Sequence, residues 1–147
     1  MKLSKYFTKE EFEHSNTAIQ RSISNVMDSG QTQKAIDLCE NVLDKIREHT
    51  GKPLKLNCGY RSPLVNKAVG GAKTSQHVLG EAADLHIQDK ETFDWIRENL
   101  EFDQLIKEQP LADGGQSWIH VSYRKGRNRK EVLKMEKKGG KSVYTKI

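Results

Sequence analysis

The strongest structural signal in this chain is one long apolar stripe of the kind that a single helix presents. Six apolar residues recur at three- and four-residue spacing, and they predict an amphipathic helix over Thr32–His49: Ala35, Leu38, Cys39, Val42, Leu43 and Ile46. Gly51 and Pro53 follow in the order that ends a helix. A helix with one apolar face needs an apolar partner surface, so the rest of the chain must supply one.

Short segments of alternating apolar residues predict the strands of that partner surface. They lie at Pro53–Tyr60, Ala82–Ile87, Phe102–Glu108 and Ser117–Tyr123. The loop-like stretch QPLADGGQ between the last two predicts an antiparallel hairpin. Shorter helices are predicted around the strands, the first at Lys9–His14 behind a capping box of Thr8 and Glu11. The order of elements predicts an α+β fold, a small antiparallel sheet with helices packed on one side.

Composition excludes several classes of protein. The chain has 147 residues, which is enough for one domain with a core of its own. No run approaches the roughly 18 apolar residues of a spanning helix, so we expect no membrane insertion. Cys39 and Cys58 are too few for a disulfide framework. The opening MKLSKYFTKEEFEH has no apolar core of a secretory signal, so we expect the protein to be made in the cytoplasm.

Positive charge is concentrated at the C-terminal end. From Arg124 onward ten Lys and Arg residues oppose two Glu residues, which gives this segment a charge of +8 and residues 1–123 a charge of −3. We therefore divide the chain into a domain at 1–133 and a basic tail at 134–147, expected to be solvated and partly disordered. Such a tail favours an anionic partner, namely nucleic acid, a membrane surface or a cell-wall polymer. Nucleic acid is disfavoured, because no aromatic residue interrupts the basic run before Tyr144.

Three ionisable residues have sequence settings that suggest a site. His77 lies in a polar loop, Asp84 lies in a short apolar strand, and His120 lies in a strand whose core face carries Ile119 and Val121. A carboxylate in an apolar strand is costly unless it is paired or bound to a cation. Two neutral imidazoles and one carboxylate form a common ligand set for catalytic Zn²⁺, with a fourth position left for water. The spacing alone is a weak signal for such a site.

Several motifs occur together along the chain. Residues 75–84 read SxHxxGxAxD, with GYRSP at 59–63 before them and FDQLIKE at 102–108 and WIHVSY at 118–123 after them. The opening FTKEEFEHSNTA and the later NRKEVL complete the set. Together they resemble the D-Ala-D-Ala carboxypeptidase-type metallopeptidases, the fifteenth metallopeptidase family, in its subfamily A. That family includes many bacteriophage cell-wall lysins. The resemblance covers nearly the whole chain in the same order.

The resemblance implies roles for individual residues. It implies Zn²⁺ bound by His77, Asp84 and His120 on the open face of a sheet like that of hedgehog proteins and D-Ala-D-Ala peptidases. It also implies an active-site role for Arg61, whose guanidinium suits a substrate carboxylate or an oxyanion. Ser75 and Gln76, in the same motif, are expected to position the substrate.

The general base departs from the family pattern. Ser117 stands where several branches have Glu three residues before the last zinc histidine, and Trp118 stands where another branch has a histidine. Glu108 is the nearest remaining candidate, because pairing opposite Trp118 would place it on the face of His120. A register slip of one residue would turn it away.

Two further residues stay open at this stage. Asp113, in the hairpin loop, is a weaker candidate for the base. His86 shares a strand face with Asp84, and it is expected to be a surface histidine rather than a support for the metal site.

The resemblance implies a zinc peptidase, expected to be a monomer, that cleaves the stem peptides of peptidoglycan as a carboxypeptidase or an endopeptidase. It also implies a phage lysin that reaches the wall after release from the host cytoplasm or as a virion component. The alternative is a zinc-binding wall-binding or virion structural module without catalysis, which the absence of Glu before His120 favours. A nucleic-acid-binding protein that uses the basic tail is the second alternative.

Overall fold

Six strands form one sheet in the computed structural model, which describes residues 1–147. They are β1 (Leu56–Cys58), β2 (Ala82–Leu85), β3 (Gln104–Pro110), β4 (Gln116–Ser122), β5 (Glu131–Lys138) and β6 (Lys141–Lys146). The order across the sheet is β1-β2-β4-β3-β5-β6, and only the β3–β5 pair is parallel. The predicted α+β fold with a mostly antiparallel sheet is confirmed.

The helices precede and interrupt the strands. They are α1 (Lys9–Glu13), α2 (Asn16–Gln20), α3 (Ser29–Leu38), α4 (Asp44–Thr50), α5 (Pro63–Ala68) and α6 (Lys90–Asn99). The long predicted helix is α3 and α4 joined through a π-helical turn at Cys39–Leu43, and it begins earlier than predicted because Asp28 and Gln31 form a capping box. Helix α2 was not predicted; the Ser15 side chain accepts from the amide of Ala18 at its start.

One face of the sheet packs on the helices and forms the core. Alternate strand residues face it, among them Ala83, Leu85, Leu105, Ile119 and Val121, all fully buried. They meet the apolar stripe of α3 and α4, together with Phe93 and Ile96 of α6. Burying one such side chain stabilises the fold by roughly 1.5–3 kcal/mol, so this face of the sheet is held firmly against the helices. The opposite face of the sheet is left open.

The expected basic tail is part of the sheet. The boundary set at 133/134 falls inside β5, which pairs in parallel with β3 from Gln104↔Glu131 to Glu108↔Met135 and antiparallel with β6. The prediction that the C-terminal segment is partly disordered is therefore wrong. The reason is that Leu133 and Met135 alternate with charged residues, so β5 has an apolar side that a count of charges conceals.

No helix in the structure has the length and apolar character needed to cross a lipid bilayer.

Candidate metal centre

The open face of the sheet brings His77, Asp84 and His120 to one point. Asp84 and His120 are cross-strand partners on β2 and β4, and His77 comes from the loop that precedes β2. Asp84 Oδ1 lies 3.3 Å from His77 Nε2 and 3.1 Å from His120 Nδ1. The two imidazole rings meet edge to face with their centroids 5.1 Å apart. The three residues predicted as ligands therefore lie within contact of one another.

A hydrogen bond fixes which nitrogen of His77 faces this point. His77 Nδ1 lies 2.7 Å from the carbonyl oxygen of Gly59. A carbonyl oxygen can only accept, so Nδ1 carries the hydrogen and Nε2 is the nitrogen left to bind a cation. The amide of Arg61 donates in return to the carbonyl of His77 at 3.2 Å. A hydrogen bond from the second ring nitrogen to a backbone carbonyl is a usual way in which proteins orient histidine ligands in metal sites.

The electrostatics of the cluster are those of a cation site. Burial disfavours a charged His77, but the Asp84 carboxylate outweighs it and raises the pKa of His77 to about 10. Burial likewise opposes an ionised Asp84, but the charge of His77 and the hydrogen bond from His120 hold the pKa of that carboxyl well below its usual range. Burial lowers the pKa of His120. In the absence of a metal, one proton supplies the positive charge that Asp84 requires.

Cys58 also approaches the cluster, and sequence reasoning missed it. Its Sγ lies 3.7 Å from His77 Nδ1, and Cys58, His77 and Asp84 form a group close enough to hold a metal ion. The strand pattern predicted Cys58 on the buried side with Leu56. Between these two residues the β1–β2 register shifts by one, so Leu56 pairs with Leu85 but Cys58 pairs with Asp84. The shift turns Cys58 to the face of the metal cluster.

The donor set fits Zn²⁺. Two imidazole nitrogens and a carboxylate oxygen converge, and a thiol lies beside them, all of which are ligands that zinc accepts. The thiol approaches His77 from the side whose nitrogen is occupied by Gly59, whereas His120 approaches Asp84 from the open side. The structure therefore offers two sets of three ligands around His77 and Asp84, one completed by His120, as the sequence predicts, and one completed by Cys58.

A cleft of about 660 Å³ opens above the cluster. Its lining includes every residue predicted for the site, namely Arg61, Ser75, Gln76, His77, Asp84, Glu108 and His120. Arg61 Nη2 donates to Ser75 Oγ at 3.2 Å, and the amide of His77 donates to the same oxygen at 3.3 Å. Ser75 thus ties the guanidinium to the loop that carries the metal ligand, while Arg61 Nε has no partner within the protein.

Gln76 is held so that its carbonyl oxygen is free. Its Nε2 donates at 2.8 Å to the buried carboxylate of Asp103, which Arg129 binds through Nε at 3.0 Å and Nη2 at 2.8 Å. A carboxylate accepts only, so the amide cannot be turned round, and Gln76 Oε1 is left buried and unpartnered in a cleft-lining residue. The oxygen therefore has an unused capacity to accept a hydrogen bond, although it is enclosed within the protein.

Glu108 occupies the position that the register argument required. It pairs with Trp118, and Ile106 pairs with His120, so Glu108 is the diagonal neighbour of His120 on the open face. The side chain is buried within the cleft lining. Burial, with the charge of Asp84 added to it, raises the pKa of Glu108 to about 7. A carboxylate with such a pKa is suited to exchange protons near neutral pH.

The structure separates the other candidates from the cleft. Asp113 is exposed in the β3–β4 turn, where its Oδ1 accepts from the amide of Gly115 at 2.8 Å. His86 is exposed and does not line the cleft. Sequence reasoning also missed four cleft residues of β5 and β6, namely Leu133, Met135, Lys137 and Tyr144, because three of them fell within the supposed tail and Leu133 was the last residue before it. The alternation of Leu133 and Met135 was the signal that could have found them.

Comparison with known proteins agrees with this chemistry. The zinc D-Ala-D-Ala carboxypeptidase of Streptomyces albus G is 53% identical over 34 residues, a match that covers 23% of this chain and 13% of that protein. The chain thus aligns with only a small part of that relative's length. The sequence profile of the Peptidase M15 family, however, matches residues 5–122, the stretch that supplies all the predicted metal ligands. With a donor set that fits the metal of such enzymes, the chain belongs to the Peptidase M15 family of zinc peptidases.

Proposed function

We propose that the protein is a zinc-dependent hydrolase of the stem peptides of peptidoglycan, either a D-Ala-D-Ala carboxypeptidase or an endopeptidase. The observation that carries the proposal is the meeting of three groups in one cleft: a three-residue donor set, the Arg61 guanidinium and the Glu108 carboxylate. The name of the Streptomyces relative supports the D-Ala-D-Ala linkage as the substrate class.

His77, Asp84 and His120 would hold the zinc, which when bound polarises a peptide carbonyl and makes a water molecule more acidic. Glu108 accepts a proton from the attacking water and returns it to the leaving amine. Arg61 has an unpartnered Nε–H and binds the substrate carboxylate or the developing oxyanion. Gln76, which lines the same cleft, positions the peptide.

The test is mass spectrometry of purified peptidoglycan after digestion by the zinc-loaded protein, because it reports both activity and the bond cut. Glu108→Gln should lower the rate on the order of 10²–10⁴-fold while zinc remains bound. Asp113→Asn is the matched control, since it makes the same carboxyl-to-amide change outside the cleft, and it should leave the rate unchanged. Equal rates for both variants and the wild type would remove Glu108 from the mechanism.

A second candidate is a zinc-binding module of the same fold that holds the wall without cutting it. The observation that favours it is Ser117, which stands where several related branches carry the base and whose Oγ donates to the carbonyl of Gln109. Intact peptidoglycan after exposure to the zinc-loaded protein, with the protein still sedimenting with the wall, would support this module over the hydrolase.

We further propose that the protein serves as a phage lysin, which acts on the wall after release from the cell or as a virion component. Support comes from the resemblance of the chain, including the opening FTKEEFEHSNTA and NRKEVL, to a family that includes many such lysins. A gene neighbourhood without phage genes would contradict the lysin role but leave the hydrolase proposal intact.

A further inference from the structure

The β5–β6 hairpin forms the far end of the cleft that contains the metal centre. Two rows of side chains cross the open face of the sheet from β4 to the hairpin. One row runs from His120 through Ile106 to Leu133, and the other from Trp118 through Glu108 and Met135 to Tyr144. Each row begins at the reaction centre and ends on residues that lie beyond the part of the chain matched by the family profile.

The distance across the sheet matches the length of a short peptide. Neighbouring strands lie about 4.8 Å apart, so the three steps from β4 to β6 span roughly 14 Å. An extended peptide covers about 3.3–3.6 Å per residue, so roughly four residues bridge this distance. A peptide whose scissile bond lies over His120 and that runs across the strands would therefore reach the hairpin with a residue two to four positions away.

Lys137 gives the hairpin a cation that forms no salt bridge, although its charge favours the ionised form of Glu108 in the same cleft. Its Nζ contacts Ser142 Oγ at 2.9 Å, a neutral partner, and no carboxylate lies within salt-bridge distance of it. Lys134, on the same strand, is paired with Glu136 at 3.5 Å. Lys137 lines the cleft, whereas Lys138 next to it does not. An ammonium group that faces a peptide cleft and has no carboxylate within salt-bridge distance is suited to bind a carboxylate of the peptide.

We infer that the β5–β6 hairpin is a substrate subsite in which Lys137 binds a carboxylate of the peptide and Tyr144 contacts the peptide beside it. The inference rests on the proposed peptidase function and specifies its substrate: an acidic peptide with a carboxylate two to four residues from the bond that is cut. The subsite is distinct from Arg61, because Arg61 follows β1 and donates to Ser75, whereas Lys137 lies on β5.

The test measures binding rather than turnover. The probes are two synthetic peptides ending in Lys-D-Ala-D-Ala, one with D-Glu before the lysine and the other with D-Gln. Calorimetric titration of the metal-free full chain at low salt should show the D-Glu peptide binding about 1.5–5-fold more tightly, the size expected for an exposed charge pair. Lys137→Gln should abolish this preference. Lys138→Gln is the control, because it removes the same charge from the neighbouring position, and it should keep the preference.

The outcomes separate the inference from the proposed function. A preference that survives Lys137→Gln, equal binding of both peptides by the wild type, or no binding of either one would overturn the subsite. Cleavage of the D-Gln peptide by the zinc-loaded wild type tests the peptidase function independently of Lys137. If neither peptide is cleaved but the preference depends on Lys137, the proposed function fails and the subsite stands.

Discussion

At the scale of single residues, one oxygen atom organises the site. Asp84 Oδ1 is approached by both histidines, whereas Cys58 contacts the opposite nitrogen of His77. A metal bound at this oxygen can take His120 without disturbing any other contact. The thiol of Cys58 lies close enough to His77 and Asp84 to complete an alternative set of three ligands.

This geometry predicts how zinc binding responds to substitution. Cys58→Ser should keep one zinc per chain, because it leaves both nitrogens and Asp84 in place. His120→Ala and His77→Ala should each lose stoichiometric zinc, since two protein ligands rarely hold the ion. Metal analysis of the dialysed proteins, with circular dichroism to verify folding, is the measurement. Loss of zinc from Cys58→Ser together with retention by His120→Ala would replace His120 with the thiol in the ligand set.

Burial of the Glu108 carboxyl should reduce the stability of the metal-free fold at neutral pH. Its pKa is raised from 4.5 to about 7, chiefly by burial, so the folded state binds the proton more tightly than the unfolded chain does. The free energy of unfolding therefore falls as the pH rises from about 4.5 to 7, and the full penalty is present above that range. The full penalty is about 3 kcal/mol, from the usual conversion of a pKa difference.

Glu108→Gln should remove this pH dependence. Relative to the wild type, the metal-free variant should gain about 2–3 kcal/mol of stability between pH 5 and pH 8. Urea denaturation of both proteins at the two pH values measures the difference, and all other titrating groups cancel because they are common to both. A difference that is the same at pH 5 and pH 8 would show that Glu108 titrates normally.

At the scale of elements, the start of α3 supports the loop that carries His77. Gln31 Nε2 donates to the carbonyl of Val78 at 3.1 Å. Gly80 has a φ of +79°, and a Cβ added to it would lie 2.6 Å from the backbone oxygen of Gln31. The helix and the loop are thus packed backbone to backbone, three residues from a metal ligand. The motif glycine is explained by this contact with α3 rather than by the metal itself.

Gly80→Ala should therefore damage both the fold and the site. A left-handed conformation costs a non-glycine residue roughly 1–2 kcal/mol, and the clash with Gln31 adds to this cost. Gly70→Ala is the matched control, because Gly70 has a φ of +74° but no atom within 4 Å of an added Cβ. We expect Gly80→Ala to lose more stability than the control in urea denaturation and to bind zinc more weakly in a chelator competition. Equal losses would show that the loop can move away from α3.

At the scale of the whole molecule, five of the ten basic residues of the C-terminal segment lie on the folded β5–β6 hairpin and not on a loose tail. We propose that its lysines outside the cleft also hold the anionic wall. Reversing Lys134, Lys138 and Lys141 to Glu should weaken sedimentation with isolated cell walls at low salt, and this difference should vanish at high salt. Lys137 is left intact because it lines the cleft.

Reversing Lys45, Lys52 and Lys55, which are exposed in the body of the protein, gives the same change in net charge as a control. Equal weakening by both sets would exclude the hairpin as a specific contact.

The parts of the fold that sequence predicts are those set by local pattern. The capping box of α1, the stripe of α3 and α4 and the Glu108–Trp118 register follow from neighbouring residues or from a single hairpin. The parallel β3–β5 pair and the shift that turns Cys58 toward Asp84 do not, because they depend on pairing between distant segments. The roles of Arg61, Ser75 and Gln76 in catalysis and substrate binding stay predictions, although the structure brings all three residues to the cleft.

The position of β6 has a consequence for the solubility of the protein. It is the outermost strand, so one side of its backbone has no partner strand within the chain. Such an edge can recruit the same edge of another molecule and start aggregation. Lysines at both ends of β6, Lys141 and Lys146, give two such edges like charges that repel each other. The same lysines that add to the positive charge of the hairpin thus act as gatekeepers, and chemical acetylation of them should leave a sheet edge prone to self-association.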